Sequence, residues 1–401
     1  MKIGIDISRY IDKAGGVGIY AANLLSYLLK IDTDNSYLGY TFFYDCFPDG
    51  WNKKEVAGIF EDYYRNPNIY TNFSINKLNW STRKVKKAWE RASIEKKEAI
   101  LGNPDVIHST AYMVPELLNA KLVVTVHDLS FLLFPEFHTE ANIKLLIKNL
   151  IYVNSRPSKV ICDSEQTKKD LKKFFHVPDE KIKVIYLGVN YVFSRPISSE
   201  ERNYVFSKYG LNGIDYILCV SSIEPRKNFK RIISVFSRII KDEKFKDLFL
   251  VCAGGKGWKN EAIYEFIKEE GIEDKVKFLG FVEEKNLPAI YNGAKLFLYP
   301  SLYEGFGLPV LEAMSAKVPV ITSNISSLPE VAGDAAMLVD PYNEEEIYNA
   351  VKELLSNESL RKDFILKGSK RANKFTWEDT AEKTLEVYKE VYNETNETNV
   401  V

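Results

Sequence analysis

Two glutamates, Glu304 and Glu312, stand on either side of a Gly-Phe-Gly-Leu-Pro turn in the stretch YEGFGLPVLEAM, residues 303–314. A carboxylate accepts two hydroxyl hydrogen bonds at once, so each glutamate can clamp a vicinal diol. A nucleotide sugar carries such diols at both ends, on its ribose and on the sugar to be moved. Glycine amides between the clamps would face its phosphates. The simpler alternatives are a solvent-exposed Glu304 and a Glu312 that only compensates the dipole in the first turn of a helix starting near Pro309. Three further loops hold residues of a suitable kind. Arg226 and Lys227, in VSSIEPRKNFKRI at 220–232, fall where a helix is expected to begin and suit a diphosphate. Taken alone, adjacent Arg-Lys is ordinarily a solvated surface pair. His127 and Asp128 directly follow the strand-like run KLVVTV, where a histidine could donate to a substrate hydroxyl or be satisfied by nearby backbone. Gly15, Gly16 and Gly18, in AGGVGIYAANLL at 14–25, precede a helical pattern whose free N–H groups could meet an anion, or they simply make a turn.

The order of elements must bring these loops together. Strand-like apolar runs are expected at 2–7, 37–44, 105–108, 121–126, 159–162 and 182–187, and again at 216–221, 247–252, 275–280, 295–299, 318–322 and 336–339. Helical patterns such as 17–30, 228–241 and 261–270 lie between them. Continuous apolar strands alternating with helices predict parallel sheets covered on both faces. Ligands in such sheets bind beyond the carboxyl ends of the strands, where these loops fall. The repeated pattern and the length of 401 residues predict two doubly wound α/β domains, joined in the polar stretch 187–200. The expected limits are 1–190 and 191–376, followed by a helix over 377–392 and a disordered polar tail over 393–401.

Composition excludes several classes. A formal net charge of −1 advertises no nucleic-acid partner. No leader pattern opens the chain, and no apolar run reaches the ~20 residues that span a bilayer. The four cysteines form no Cys-x-x-Cys pair and three sit in apolar runs, so they are expected to be reduced and buried in a cytosolic chain. The four histidines are not spaced to bind metal with them. Asp32-Thr33-Asp34 has the form of a metal-binding Asp-x-Asp, but it follows a helix and sits in a polar turn, where aspartates mainly shape the backbone.

Glu304 and Glu312 match the Glu-x7-Glu motif of retaining glycosyltransferases with two Rossmann-like domains. The surrounding YPSLYEGFGLPVLEAM and PVITSNISSLPEVAGDAAMLVDP, within 299–341, resemble glycosyltransferase family 4, and IEPRKN at 223–228 is similar to its bacterial mannosyltransferase-like members in polysaccharide and O-antigen synthesis. The resemblance takes in nearly the whole chain. It implies the GT-B architecture, two Rossmann-like domains facing a central cleft, an N-terminal acceptor side and a C-terminal donor side, with FTWEDTAEKTLEVYKE at 375–390 as the helix that crosses back to the first domain. It implies roles residue by residue. Glu304 holds the donor sugar's hydroxyls with the amides of Phe306 and Gly307, beside Leu308. Glu312 holds the ribose. Arg226 and Lys227 neutralise the diphosphate, with the Gly16 backbone on its other side. His127 contacts the donor sugar, and the Phe281–Val282 loop faces the base. One position departs from the pattern: Ser221 stands where many relatives carry an arginine, which shifts the diphosphate charge onto Arg226 and Lys227.

The implied reaction is transfer with retention, without enzyme nucleophile, metal or cofactor: cations and amides stabilise the departing diphosphate and positioning does much of the rest. GDP-mannose is the donor suggested by the mannosyltransferase-like resemblance; UDP- or dTDP-sugars remain alternatives. A saccharide or lipid-linked saccharide is the expected acceptor. The basic helical pattern STRKVKKAWERASIEKKEAI at 81–100, after Trp80, could rest on the cytoplasmic face of a membrane or form a solvated face, which Glu90, Glu95 and Glu98 favour by diluting its charge. Competing readings are a sugar-nucleotide epimerase and a non-catalytic nucleotide-sugar-binding protein. A dinucleotide-dependent oxidoreductase lacks its Gly-x-Gly-x-x-Gly fingerprint here.

Overall fold

The computed structural model describes residues 1–7, 15–40, 71–75, 91–112, 114–255, 257 and 260–398. The strand end 41–44, Cys46, Trp80, Trp89 and most of the 44–82 and 81–100 stretches lie outside them. The chain divides into two units. The first takes in Met1–Leu129, Glu140–Leu187 and Trp377–Val401; the second takes in Ser130–Thr139 and Gly188–Thr376. The segment 130–139 therefore groups with the second unit. Its Phe134 ring lies 5.8 Å from that of Tyr303, a long-range pairing that no local pattern announces.

The first unit holds a seven-stranded sheet of β1 (Lys2–Asp6), β2 (Ser36–Tyr40), β3 (Phe73–Ile75), β4 (Val106–Ser109), β5 (Lys121–Val126), β6 (Lys159–Cys162) and β7 (Ile182–Val184), in the order β3-β2-β1-β4-β5-β6-β7. Every pairing is parallel. Most strand residues are buried, as sheets covered on both faces require. Helix α1 (Gly15–Ile31) follows β1 and buries Tyr20, Leu24, Leu25, Leu28 and Leu29. Helix α2 (Glu165–Phe175) starts at Ser164, whose side chain accepts the Thr167 N–H. The helix Ile94–Ile100 turns Glu98 inward, where its carboxylate accepts the N–H groups of Leu118, Asn119 and Ala120. Glu98 thus does not dilute the surface charge of that stretch.

The C-terminal helix, Trp377–Thr398, packs on α1 in this unit. Trp377, Tyr388 and Val391 are buried, Thr380 donates to the Tyr186 carbonyl, and Glu390 pairs with Lys159 and Lys183. The helix runs six residues beyond 392, into the stretch 393–401 for which a disordered tail is expected. Extending an existing helix fixes one residue per new hydrogen bond, so a polar tail can continue one that packing has nucleated.

The second unit holds β8 (Tyr216–Val220), β9 (Phe249–Ala253), β10 (Val276–Gly280), β11 (Leu296–Tyr299), β12 (Val320–Ser323) and β13 (Met337–Val339), in the order β10-β9-β8-β11-β12-β13. The order reverses between β8 and β11. That topological switch point is where crossover helices diverge to opposite faces and leave a crevice beyond the strand ends. Helix α3 (Phe229–Ile239) follows β8 and α4 (Leu308–Ser315) follows β11, so both loops open at the reversal.

Candidate active site

The loop after β8 closes in a single 3-10 turn, Pro225–Lys227. Asn228 then takes a left-handed conformation (φ 65°), which asparagine tolerates better than most residues. Its side-chain amide donates to the Pro300 and Pro341 carbonyls at 3.0 and 2.8 Å. The Leu302 N–H donates to the Arg226 carbonyl at 2.9 Å. The two loops at the reversal are thus stitched together, and their charged side chains are forced into contact.

Glu304 sits at the centre, 7% exposed, so the solvent-exposed alternative is set aside. Its Oε1 accepts from Lys227 Nζ at 2.6 Å, Tyr299 Oη at 2.8 Å and Ser301 Oγ at 2.5 Å; its Oε2 accepts from Arg226 Nη1 at 3.0 Å. Arg226 also donates to the Tyr303 carbonyl at 2.6 Å and to Glu224 at 2.8 Å. Burial alone would raise the Glu304 pKa, but Lys227 and Arg226 hold it down to about 2. Burial, with Arg226 alongside, pulls the Lys227 ammonium below its ordinary value against the attraction of Glu304 and Glu224. Arg226 and Lys227 are therefore no solvated surface pair.

The glycine turn is held from behind by the SNISS loop. Ser326 Oγ accepts the Glu304 N–H at 2.9 Å and donates to the Glu304 carbonyl at 2.6 Å. Ser327 Oγ lies 2.9 and 2.7 Å from the carbonyls of Glu304 and Phe306. Gly307 has φ +114°, and a Cβ there would stand 2.8 Å from Leu328, so only glycine makes this turn. The side chains of Phe306 and Leu308 are buried, which leaves their backbone as the part able to meet a ligand.

Glu312 is the fifth residue of α4, not in its first turn. Dipole compensation at the helix start does not explain it. It is 8% exposed and its Oε2 accepts from Tyr291 Oη at 2.9 Å. Burial raises its pKa to about 7, opposed by the Tyr291 hydrogen bond and helped by the charge of Glu284. At the end of β10, Phe281 is 76% exposed while Val282 is buried.

In the first unit, His127 follows β5 as expected, but both its nitrogens are engaged. Nδ1 lies 2.6 Å from Asp163 Oδ2 and Nε2 lies 2.8 Å from the Thr110 carbonyl. Both ring nitrogens are thus occupied, Nδ1 by the Asp163 carboxyl and Nε2 by the Thr110 carbonyl. Burial would lower its pKa, yet the Asp163 carboxylate holds it above the ordinary value. The sequence-based alternative of a donation to a substrate hydroxyl finds no ring N–H left over in this state. A Cβ built on Gly16 meets nothing within 4 Å, so packing among the described residues does not demand glycine there. Asp32 accepts from the Asp34 and Asn35 N–H groups and from Tyr37 Oη, which assigns it to the turn. Among the described residues no group of three or more His, Cys, Asp and Glu is placed to hold a metal ion.

Sequence reasoning did not single out Glu224, Tyr291, Tyr299, Ser326, Ser327 or Asp163. Two carried a signal: Asp163 directly follows β6 and Glu224 stands in the loop after β8, both at strand carboxyl ends.

The model of the group 1 glycosyl transferases matches residues 205–371, and that of Glycosyltransferase Family 4 matches 14–192. The O-antigen chain mannosyltransferase B of Escherichia coli is 31% identical over 284 residues, 71% of this chain and 74% of that protein. The serotype-specific mannosyltransferase WbdA of the same species is 28% identical over 297 residues, 73% of this chain but 36% of that longer protein. Among solved structures, HepE from Anabaena in complex with UDP-glucose superposes with a TM-score of 0.72 at 16% identity, covering 97% of this chain and all of that one.

Proposed function

The chain belongs to glycosyltransferase family 4 and has the two-sheet architecture of GT-B glycosyltransferases; from that premise we propose that it moves a hexose, with retention, from GDP-mannose to a saccharide or lipid-linked saccharide. The observation that carries the reading is the buried cluster at the β8–β11 reversal. It contains the components a nucleotide-sugar donor needs, each already matched to a stand-in. Arg226 and Lys227 are matched to the Glu304 carboxylate. A donor brings a diphosphate for the cations and hydroxyls for the carboxylate. Breaking a buried ion pair is costly when a partner is left bare, but here both partners gain a replacement in the same step. As the sugar leaves, negative charge develops on the diphosphate, and the preorganised cations and turn amides stabilise it. Glu304 acts as a holder and not as a nucleophile, and the leaving phosphate takes the acceptor's proton. Glu312 takes the ribose diol, the backbone at Phe306, Gly307 and Leu308 lines the sugar and phosphates, and the Val282 backbone meets the base.

This reading needs neither cofactor nor metal, because the cations at 226 and 227 take the charge that a metal would. It places the enzyme in the cytoplasm, working at the membrane face where a lipid-linked acceptor is presented, with the stretch 81–100 as the contact. The described residues contain no helix long and apolar enough to cross a membrane. A uridine or thymidine donor is the second reading, favoured by the likeness to a structure solved with UDP-glucose.

The test is turnover of GDP-mannose, UDP-glucose and dTDP-glucose with a mannose-terminated acceptor in the presence of EDTA. Anomeric configuration of the product is read by NMR. An α-linked product from one donor is expected. An inverted product, a requirement for added metal or a trapped glycosyl-Glu304 adduct would overturn the corresponding part of the mechanism. Turnover of donor to an isomer without acceptor would point to an epimerase.

A further inference from the structure

We infer that Glu224 is a positioning residue of the donor site, which orients the Arg226 guanidinium and cancels one of the two positive charges that would otherwise hold the product diphosphate too tightly. This rests on the reading that Arg226 and Lys227 receive the diphosphate. Glu224 is 2% exposed, and its Oε1 accepts from Arg226 Nη2 at 2.8 Å. The other arm of the guanidinium, Nη1, is held by the Tyr303 carbonyl at 2.6 Å and Glu304 Oε2 at 3.0 Å. The planar fork is thus gripped from both sides, and its orientation is fixed before any ligand arrives. The Glu224 carbonyl also accepts the Lys227 N–H at 3.1 Å, so the residue closes the turn that presents both cations.

Charge gives Glu224 its second effect. Two carboxylates, Glu224 and Glu304, face two cations, Arg226 and Lys227, and the cluster is formally neutral. A diphosphate enters a site with no net positive charge. When the sugar hydroxyls occupy Glu304, its charge remains, and so does that of Glu224. The donor is held by directed hydrogen bonds more than by net attraction, and the product, which carries more negative charge than the donor, is not favoured over it.

The experiment is calorimetric titration of the full chain with GDP, UDP and GMP, for the wild type and for Glu224→Gln, Arg226→Gln and the double variant. Gln keeps an acceptor oxygen for Arg226 and removes only the charge. Glu224→Gln should bind the preferred diphosphate on the order of tenfold tighter, shift GMP less, and lower kcat together with the donor KM as product release slows. In the Arg226→Gln background, where Glu224 is left unopposed, the same change should recover part of the lost diphosphate affinity, and a double variant no tighter than Arg226→Gln would overturn the inference. An unchanged or weakened diphosphate affinity in Glu224→Gln overturns the inference while the donor site stands. A wild type that binds neither GDP nor UDP overturns the donor-site reading and the role of Glu224 with it. If Glu224→Gln does not fold, the single cation variants decide. Arg226→Gln should weaken diphosphate binding more than Lys227→Gln, because only the former leaves Glu224 unopposed, and equal losses would overturn the proposal.

Discussion

At the scale of single residues, the two glutamates that frame the turn have opposite electrostatic settings. Glu304 has its pKa carried down to about 2, so its contribution to stability is present above the unfolded value near 4.5 and is lost as pH falls toward 2. Glu304→Ala leaves Arg226 and Lys227 facing Glu224 alone. The expected result is loss of transfer activity and destabilisation of about 3–5 kcal/mol, measured by urea unfolding at pH 7; an unfolding midpoint equal to wild type would show the cluster is not coupled as its distances imply. Glu312 has the reverse sign. Its pKa is raised to about 7, so the folded chain favours the protonated acid and loses stability as pH rises from about 4.5 through 7. Glu312→Gln should therefore unfold later than wild type at pH 8 and at the same point at pH 4. A ribose diol donates to the carboxylate, so affinity for the nucleotide sugar, whose diphosphate has no terminal phosphate to titrate in this range, should rise between pH 6 and 8 in the wild type and rise less in Glu312→Gln. A flat wild-type profile would remove Glu312 from the ribose. Both carboxylates were legible as a spaced pair with hydroxyl-binding chemistry. Their protonation was not, because it depends on Lys227, Arg226 and Tyr291, which come from other loops and elements.

At the scale of elements, the strands were legible because parallel strands buried on both faces are continuous apolar runs, and KLVVTV and YILCV needed no partner to be recognised. The three-residue β3, Phe73–Ile75, is too short to leave such a run. The helix start was misjudged by one residue: with α4 starting at Leu308, Glu312 falls just past the first turn, and its carboxylate meets the buried Tyr291 hydroxyl. The serines of the SNISS loop look like ordinary turn formers in sequence. In the structure, Ser326 and Ser327 bind the backbone of Glu304 and Phe306. Ser326→Ala should cost about 0.5–1.5 kcal/mol of stability, the net value of such a bond. It should reduce kcat/KM by more than that stability loss alone predicts, because the turn that presents Glu304 is loosened. Steady-state kinetics beside thermal unfolding separates the two, and equal wild-type kinetics would show that the turn holds its shape without the strap.

At the scale of the molecule, each unit owns a complete parallel sheet, but the first unit is assembled from both ends of the chain. Tyr388 from the C-terminal helix lies 2.6 Å from His108 Nδ1, His108 Nε2 lies 2.8 Å from Thr125 Oγ1, and Thr125 lies 2.9 Å from Tyr20 Oη. Burial and the charge of His127 press the His108 pKa down to about 3, so this chain of groups is neutral. Truncation after Thr376 would uncover it together with the α1 face that Trp377 and Tyr388 cover. The truncated chain should lose the cooperative unfolding of the first unit and leave that of the second, as read by two-phase urea unfolding. A first unit that keeps its transition would show that the helix is only an accessory. Two doubly wound units were legible from the repeated alternation of apolar runs and helical patterns. The grouping of 130–139 with the second unit was not, since its contacts, such as that between Phe134 and Tyr303, lie far away in sequence.

The return of the last helix also sets a timetable for synthesis. The ribosome makes the first sheet's strands early, but Tyr20 and His108 stay without their cover until residues beyond 377 have left the exit tunnel. The second unit, contiguous from Gly188 to Thr376 apart from one short segment made earlier, can close before then. The half of the protein that is translated second is thus expected to become protease-resistant first, and the half that is translated first must be kept from aggregating until the helix beyond 377 emerges.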